Sequence, residues 1–573
     1  MSGGVILGKA QYTSRRALWL LSLVCCCNLT LAGDKPPAAA IATSSLLSTR
    51  AGAEIIKQGG NAFDAAVAIT AALAVVEPYS SGLGGGGLWL LYRARDGKQV
   101  LIDGRERAPQ LAHWRLYRET KELGSGASAN TVLNAAIPGI PAGIVHLAQN
   151  YGRLPLSITL KPAMNYAKKG FYVNDEYRLA VIARKSGLLQ FPETARIFLD
   201  HGEVPRTGYW LKQKDLAKTM TTLATQGHAG FYQGALADQM VRDVNKYGGI
   251  WTARDLLSYQ IKERDPLVFT YRGMRVVTAP PPSAGGVVLS QAMNMLTHFD
   301  LAAMDKSTRT HHVIEALRRA YRDSAVYLGD PDVVDIPLYR LLNPDYLEGL
   351  ALTIEPDRAT PSDVLGDTPG LAQSGSQTTH FSIIDAEGNR VAATLSSSAV
   401  FGSGFVPAGT GVLLNNSMDD FSIMTEIEKD GQAVATANII QPGKRPLTSM
   451  TPAFFESADR VAVLGTPGGS RIISMLMLAA LDFSGDRSLG TWILQPRYHH
   501  QYLPDVIEFE HDALSEEEQA RLREMGYKLQ EYPGEYGDVQ VVTWDRQDNR
   551  VFAASDPRGV GTAVVVPESD LRQ

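Results

Sequence analysis

Apolar positions recur with a helical period from Ala38 to Val76, apart from a break at Gly59-Gly60-Asn61. Ala51 to Gln58 forms one helical stretch and the alanine-rich run Ala62 to Val76 a second. The pattern then changes: Ser80 to Gly87 is rich in glycine, and Leu88-Trp89-Leu90-Leu91-Tyr92 reads as a strand. Gly82, Gly84 and Gly87 have the spacing of a dinucleotide loop. Such a loop must leave a strand and enter a helix, so that the helix N-terminus faces the pyrophosphate. Here helix precedes strand, and the segment reads instead as a tight buried crossover. Residues 110 to 350 alternate amphipathic helical stretches with Pro/Gly punctuation, and no repeat of fixed period is present. Residues 354 to 377 are rich in Pro, Asp, Ser, Thr and Gly, which predicts an exposed loop. From Thr378 the chain turns β-rich.

That boundary is the most informative in the sequence. Residues 378 to 397 read as a hairpin: Thr378 to Asp385, a loop through Gly388-Asn389, and a return strand from Arg390. If Asp385 faces Arg390, Thr378 falls opposite Ser397, and the hydroxyls of Ser396, Ser397 and Ser398 come back to the start of the first strand. A threonine hydroxyl needs a base to take its proton. A free α-amino group on the same residue has a reference pKa of about 7.7–8.0 and is already in place. The β-branch restricts χ1 and so fixes the oxygen relative to that amine. Freeing the amine requires cutting Gln377–Thr378, a bond the polar linker makes reachable. The plain alternative is an edge strand after a loop.

Composition narrows the setting. The chain has 573 residues, 45% of them hydrophobic, enough to bury a large core. Lys9, Arg15 and Arg16 precede an apolar run from Ala17 to Leu31 that ends in Thr30-Leu31-Ala32. This is the pattern of a secretory signal over residues 1–32. The run, about 15 residues, is short for a membrane span, which needs roughly 20. It places the protein in the periplasm or outside the cell, with an uncleaved anchor as the alternative. Cys25, Cys26 and Cys27 all lie inside it, so the mature chain has no disulfide to draw on. Loss of its three basic residues takes the net charge from −5 to −8. An acidic protein is poorly suited to phosphate backbones, which sets nucleic acid aside as a partner. His499-His500 has no third ligand at helpful spacing, so no metal is predicted and the pair is expected to pack and hydrogen-bond.

Gln377-Thr378-Thr379-His380-Phe381-Ser382 resembles the processing site of γ-glutamyltranspeptidases, members of the N-terminal-nucleophile hydrolase superfamily. Further segments resemble that family in its order. They begin at Glu77, Asp103, Gly329, Leu413, Lys444, Gly465, Pro496 and Ala554, and the likeness spans residues 38 to 565. It implies an α+β, four-layer αββα sandwich, autoprocessed into interleaved subunits 33–377 and 378–573 that form one compact unit. It implies a γ-glutamyl acyl transferase and hydrolase without cofactor. The donor would be a glutathione-like amide, and water, an amino acid or a peptide the acceptor. Thr378 would be both the self-cleaving residue and the later nucleophile, assisted by Ser396. Gly468 and Gly469 would supply an oxyanion hole. Arg105 would clamp the substrate α-carboxylate through its planar fork, helped by Thr448 and Ser449. Asp420 would hold the α-ammonium. Without the resemblance, Asp419-Asp420 reads as a solvated pair or half a calcium site and Arg105 as a surface salt bridge.

Two positions depart from the family pattern, Ser398 replacing asparagine and Ser417 replacing Gln or Glu. Both are expected to touch the α-amino group, so its recognition is thinned. Residues 423 to 436 lack the tyrosine that many bacterial members carry in a lid. Two other readings follow: an acylase of the same fold acting on cephalosporin or glutaryl amides, and a processed but inactive amino-acid-binding homologue.

Overall fold

The computed structural model describes Met1 and residues 35–117, 131–366, 377–422, 428–429, 432–433, 436–485 and 487–571. The signal-like segment with its three cysteines, residues 367–376 of the polar linker and most of the lid segment 423–436 lie outside the described residues.

The strands that build two large sheets are, in the first half, β1 (Ala38–Thr43), β2 (Gly86–Arg93), β3 (Lys98–Gly104), β4 (Lys262–Arg264), β5 (Leu267–Tyr271) and β6 (Met274–Thr278). After the linker come β7 (Gln377–Ile384), β8 (Arg390–Ser398), β9 (Ala453–Glu456), β10 (Arg460–Gly465), β11 (Gln540–Asp545), β12 (Arg550–Ser555) and β13 (Thr562–Pro567). One sheet runs β13-β1-β7-β8-β2-β3-β4 and the other β12-β11-β10-β9-β6-β5. Every pairing in both is antiparallel. The helices that position the site are α1 (Leu46–Lys57), α2 (Ala62–Val76), α3 (Ile140–Asn150), α4 (Asp175–Leu189), α5 (Gly285–Leu296), α6 (Lys306–Tyr327) and α7 (Arg471–Ser484).

Strand alternation sorts the side chains into layers. Ala40, Leu88, Leu90 and Ile384 of the first sheet meet Val277, Phe454, Val463 and Val542 of the second, forming the core between sheets. Their neighbours Ala39, Ile41, Trp89, Leu91, Phe381 and Ile383 face the other way, onto the helical layer that contains α2. On the far side, Val276, Phe455 and Leu464 pack against α5, α6 and α7. The expected four-layer αββα sandwich is therefore the fold. Every residue of α2 is buried, which explains a helix apolar all round rather than along one stripe.

Two local expectations fail. Ala38 to Thr43 continues the helical pattern in sequence yet is a fully buried strand. It is hydrogen-bonded to β13 on one side and β7 on the other, and this pairing overrides the helix propensity of its alanines. Residues 262 to 278, inside the stretch read as helical, form β4, β5 and β6. The linker is also less open than predicted: Ser362 is buried and Gln377 already belongs to β7.

The hairpin exists, but its register differs by one. Arg390 pairs with Ile384 and Ser396 with Thr378. Asp385 leaves the ladder because its carboxylate accepts from the backbone N–H groups of Glu387 and Asn389, each at 2.9 Å. It also accepts from Ala62 N at the start of α2, at 2.9 Å. The loop therefore begins one residue earlier than the pattern suggests.

Candidate active site

Thr378 is the second residue of β7 and faces inward between the sheets, where it is buried. Its Oγ1 accepts a hydrogen bond from the backbone N–H of Gly468 at 3.2 Å. Gly468 and Gly469 lie between β10 and α7 with φ of 138° and 61°, backbone shapes that glycine adopts without a Cβ penalty. The Ser396 hydroxyl donates to the Gln377 carbonyl at 2.7 Å. Ser396 is fixed in turn by the Ser398 N–H, which donates to its Oγ at 2.9 Å. A bulge between Ser396 and Ser398 makes this possible, with Ser398 at φ 71°. His380, two residues on, is the obvious rival base, but it is too weakly basic to take the hydroxyl's proton. Burial holds it down at about 3, and its ring nitrogens contact Thr394 at 2.8 Å and Ser382 at 3.1 Å.

A polar chain runs from this centre to Arg105. The Ser398 hydroxyl donates to Asp420 Oδ1 at 2.8 Å, and Asp420 Oδ2 is paired with Arg105 Nη2. Arg105 Nη1 donates to Glu106 at 2.7 Å and its Nε to the Pro446 carbonyl at 3.2 Å. Ser417 donates to Glu106 at 2.8 Å. Burial pushes the carboxyls of Asp420 and Glu106 up, and the Arg105 charge opposes it. Asp420, Thr448 and Ser449 line a small cavity of about 80 Å³ on one side of the Gly468–Arg471 turn. Ser422 and Asn438 line it too and were missed by the sequence reading. Asn438 stands where it does because its amide bridges the Asp420 carbonyl, at 2.8 Å, and Leu447 N, at 3.0 Å.

The structure thus brings the predicted residues together, with two adjustments. Arg105 is 1% exposed and stands behind Asp420, in a buried ion pair instead of the surface salt bridge that sequence alone suggested. Ser417 is fully buried and holds Glu106, so it does not reach the cavity wall. Asp419 accepts from Asn134 at 3.1 Å and Asn416 at 2.7 Å, so the acidic pair is neither simply solvated nor shared. His499 contacts Ser474 and Gln501, and His500 contacts Asp505, as expected of a packed, hydrogen-bonded pair.

On the other side of the turn lies a cavity of about 480 Å³ that contains Thr378 itself. Glu77, Glu176 and Asp538 line it. One family-like segment begins at Glu77, but nothing in the residue pattern groups the three, because they come from segments distant in sequence.

An αββα sandwich with a threonine at the head of an inner strand, its hydroxyl held by a glycine N–H, defines the class of N-terminal-nucleophile hydrolases. Within that class, residues 48–566 match the family model described as gamma-glutamyltranspeptidase. The chain belongs to the γ-glutamyltranspeptidase family. It is 35% identical over 566 residues to a glutathione hydrolase proenzyme of Pseudomonas sp. (strain A14), covering 95% of this chain and 98% of that one. It is 36% identical over 531 residues to the glutathione hydrolase proenzyme of Escherichia coli (strain K12), covering 91% and 90%. Among solved structures it resembles cephalosporin acylase from Bacillus halodurans, with a TM-score of 0.80 and 26% identity over 97% of this chain and 98% of that one.

Proposed function

We propose that this chain is a precursor that cuts itself before Thr378 and then transfers γ-glutamyl groups from glutathione-like amides to water or to amines. The observation that carries the reading is the arrangement around one bond: Thr378 Oγ1 held by Gly468 N–H, and the Gln377 carbonyl polarised by Ser396. In self-cleavage Oγ1 attacks the Gln377 carbonyl carbon and the C–N bond breaks. The new α-amine takes the proton, and water hydrolyses the resulting ester. The Ser396 hydroxyl stabilises the oxygen on which charge develops. The freed α-amine then serves as base for the same hydroxyl in turnover. Attack on a γ-glutamyl carbonyl forms an ester to Thr378, and the N–H groups of Gly468 and Gly469 stabilise the oxyanion.

The head group of the donor carries one carboxylate and one ammonium, the mirror of the Arg105–Asp420 pair. Exchanging partners, carboxylate to Arg105 and ammonium to Asp420, leaves no buried charge uncompensated. Thr448 and Ser449 add hydroxyl donors. The basic and apolar segment up to Ala32 supports export, and 33–377 and 378–573 would be the two subunits of the mature heterodimer. No helix among the described residues is long and apolar enough to cross a membrane. The likeness to a cephalosporin acylase supports a second reading, an acyl group without the α-amine. The purified protein is assayed on a γ-glutamyl and a glutaryl anilide side by side, with N-terminal sequencing of its fragments. The first anilide should be turned over faster and the smaller fragment should begin at Thr378. Thr378→Ala should remain uncut and inactive. A fragment beginning elsewhere overturns the proposal, and faster turnover of the glutaryl anilide replaces it by the acylase reading.

A further inference from the structure

The larger cavity contains Thr378 and shares no lining residue with the smaller one, the proposed head-group site. The leaving amine of the donor departs into it, and the incoming acceptor must use the same space. Its walls are unusually acidic. Glu77 follows α2, Glu176 is in the first turn of α4 and Asp538 precedes β11. No ion pair to any of the three occurs among the described residues, and their hydrogen-bond donors are neutral. Ser44 donates to Glu77 at 2.9 and 3.0 Å, Tyr79 to Glu176 at 3.5 Å, and Gln540 to Asp538 at 2.7 Å. Two arginines line the same space but are already neutralised. Arg471 pairs with Glu508 at 2.6 Å, and Arg558 with Glu510 at 2.8 Å and Asp556 at 3.3 Å. Tyr536 also lines the cavity, and its hydroxyl, on a residue 7% exposed, has no hydrogen-bond partner among the described residues.

Three carboxyls without an ion pair among the described residues, in the cavity that holds Thr378, describe a site built for a donor-rich, positively charged guest. We infer that this cavity is the acceptor site and that Glu176 and Asp538 select amines carrying a second positive charge, the simplest being an α,ω-diamine. The inference rests on the acyl-transfer reading above. Burial raises all three carboxyls, Glu77 to about 7, and for Glu77 and Asp538 the neighbouring carboxyls add to the rise. A bound ammonium relieves that repulsion. One amine of the guest enters as the free base and its nitrogen attacks the acyl carbon of the Thr378 ester. The bond from acyl carbon to Oγ1 breaks, and the nitrogen's proton passes through the Thr378 α-amine to Oγ1. The amide leaves with its far ammonium still on Glu176 and Asp538.

The test compares 1,4-diaminobutane with butylamine as acceptors for the γ-glutamyl anilide, using the mature enzyme. Both present the same reacting amine and differ in the remote charge. The diamine should be favoured about tenfold or more in kcat/KM, because a charge contact in a partly buried site is worth upwards of about 1.4 kcal/mol. The preference should shrink at high salt and fall to about the statistical factor of two in Glu176→Gln/Asp538→Asn. Because the readout is a ratio within one enzyme, a general loss of activity in the variant does not affect it. If the double variant fails to self-cleave, Glu176→Gln alone, at a half-buried position, is read in the same way together with the salt dependence. A ratio near two in the unaltered enzyme, or a preference that survives the substitutions, overturns the acceptor assignment. Failure of the anilide to react even with water overturns the acyl-transfer reading instead.

Discussion

Ser398 holds a left-handed backbone, φ 71°, which costs a serine of order 1 kcal/mol. Asparagine tolerates that region better than most residues. Ser398→Asn should therefore leave the melting temperature unchanged or raised, and its longer amide can reach past Asp420. A hydrogen bond to a charged group is worth roughly 1.5–3 kcal/mol, so the kcat/KM ratio of γ-glutamyl to glutaryl anilide should rise about tenfold or more. An unchanged ratio would remove Ser398 from specificity. The companion change at Ser417 has no place here, because a glutamine at a fully buried serine would overpack the site. Arg105 needs a gentler probe than alanine, which would strand Asp420 and Glu106 as buried carboxylates. Arg105→Lys keeps the charge and loses the fork. It should lower kcat/KM for γ-glutamyl anilide about 10- to 100-fold while the precursor still cuts itself. Retained kcat/KM would mean that Arg105 holds only Asp420. Glu77 carries a pH signature. Its folded pKa is raised from 4.5 to about 7, so between those values the unfolded chain has lost a proton that the folded one keeps. Stability therefore falls as pH rises through that window, by up to about 3 kcal/mol. Glu77→Gln should flatten the fall in melting temperature between pH 5 and 8, and an equal fall in both proteins would contradict the assignment.

At the scale of elements, the crossover from α2 into β2 shows why glycines cluster there. A Cβ on Gly84 would stand 2.1 Å from the Leu413 carbonyl oxygen, and one on Gly85 2.3 Å from that of Ser396. The segment threads between β8 and the chain leading to Ser417–Asp420, so its backbone sets the spacing between nucleophile and head-group site. Gly84→Ala should cost roughly 1–3 kcal/mol by overpacking and shift Asp420. A lower melting temperature together with a raised KM for the anilide is the expected result. Lower stability with an unaltered KM would confine the glycine to packing. The bulge in β8 is a second such device. It interrupts the alternation so that Ser396 addresses the Gln377 carbonyl while Ser398 turns to Asp420.

For the molecule as a whole, the proposed cut before Thr378 would sever the chain between elements that remain interleaved. β7 pairs with β1 on one side and β8 with β2 on the other, and β9 pairs with β6 in the second sheet. The fragments 33–377 and 378–573 should therefore copurify and separate only on denaturation. Dissociation under native conditions would contradict the shared sheets. How much of this was legible beforehand follows from range. The polar run meeting a β-rich segment at Thr378, the buried glycine crossover and the helices at 46–57 and 62–76 were readable, because local pattern and backbone chemistry determine them. Family resemblance supplied the sandwich and, as expectations, the roles of Arg105, Asp420 and the Gly468-Gly469 pair. Ala38–Thr43 was misread because only its two partner strands make a strand of an alanine-rich segment. The hairpin register was displaced because Asp385 is recruited by the N-terminus of α2, a contact across more than three hundred residues. Ser417 was assigned to the head group although it serves Glu106, and the acidic cavity went unseen because its three carboxyls meet only in space. The sequence by itself marked out candidate residues such as Thr378 and the serines of its return strand. Tertiary structure alone decided which of them face a cavity, which stand behind another charge, and which make no ion pair among the described residues, since burial and pairing depend on what the rest of the fold brings alongside.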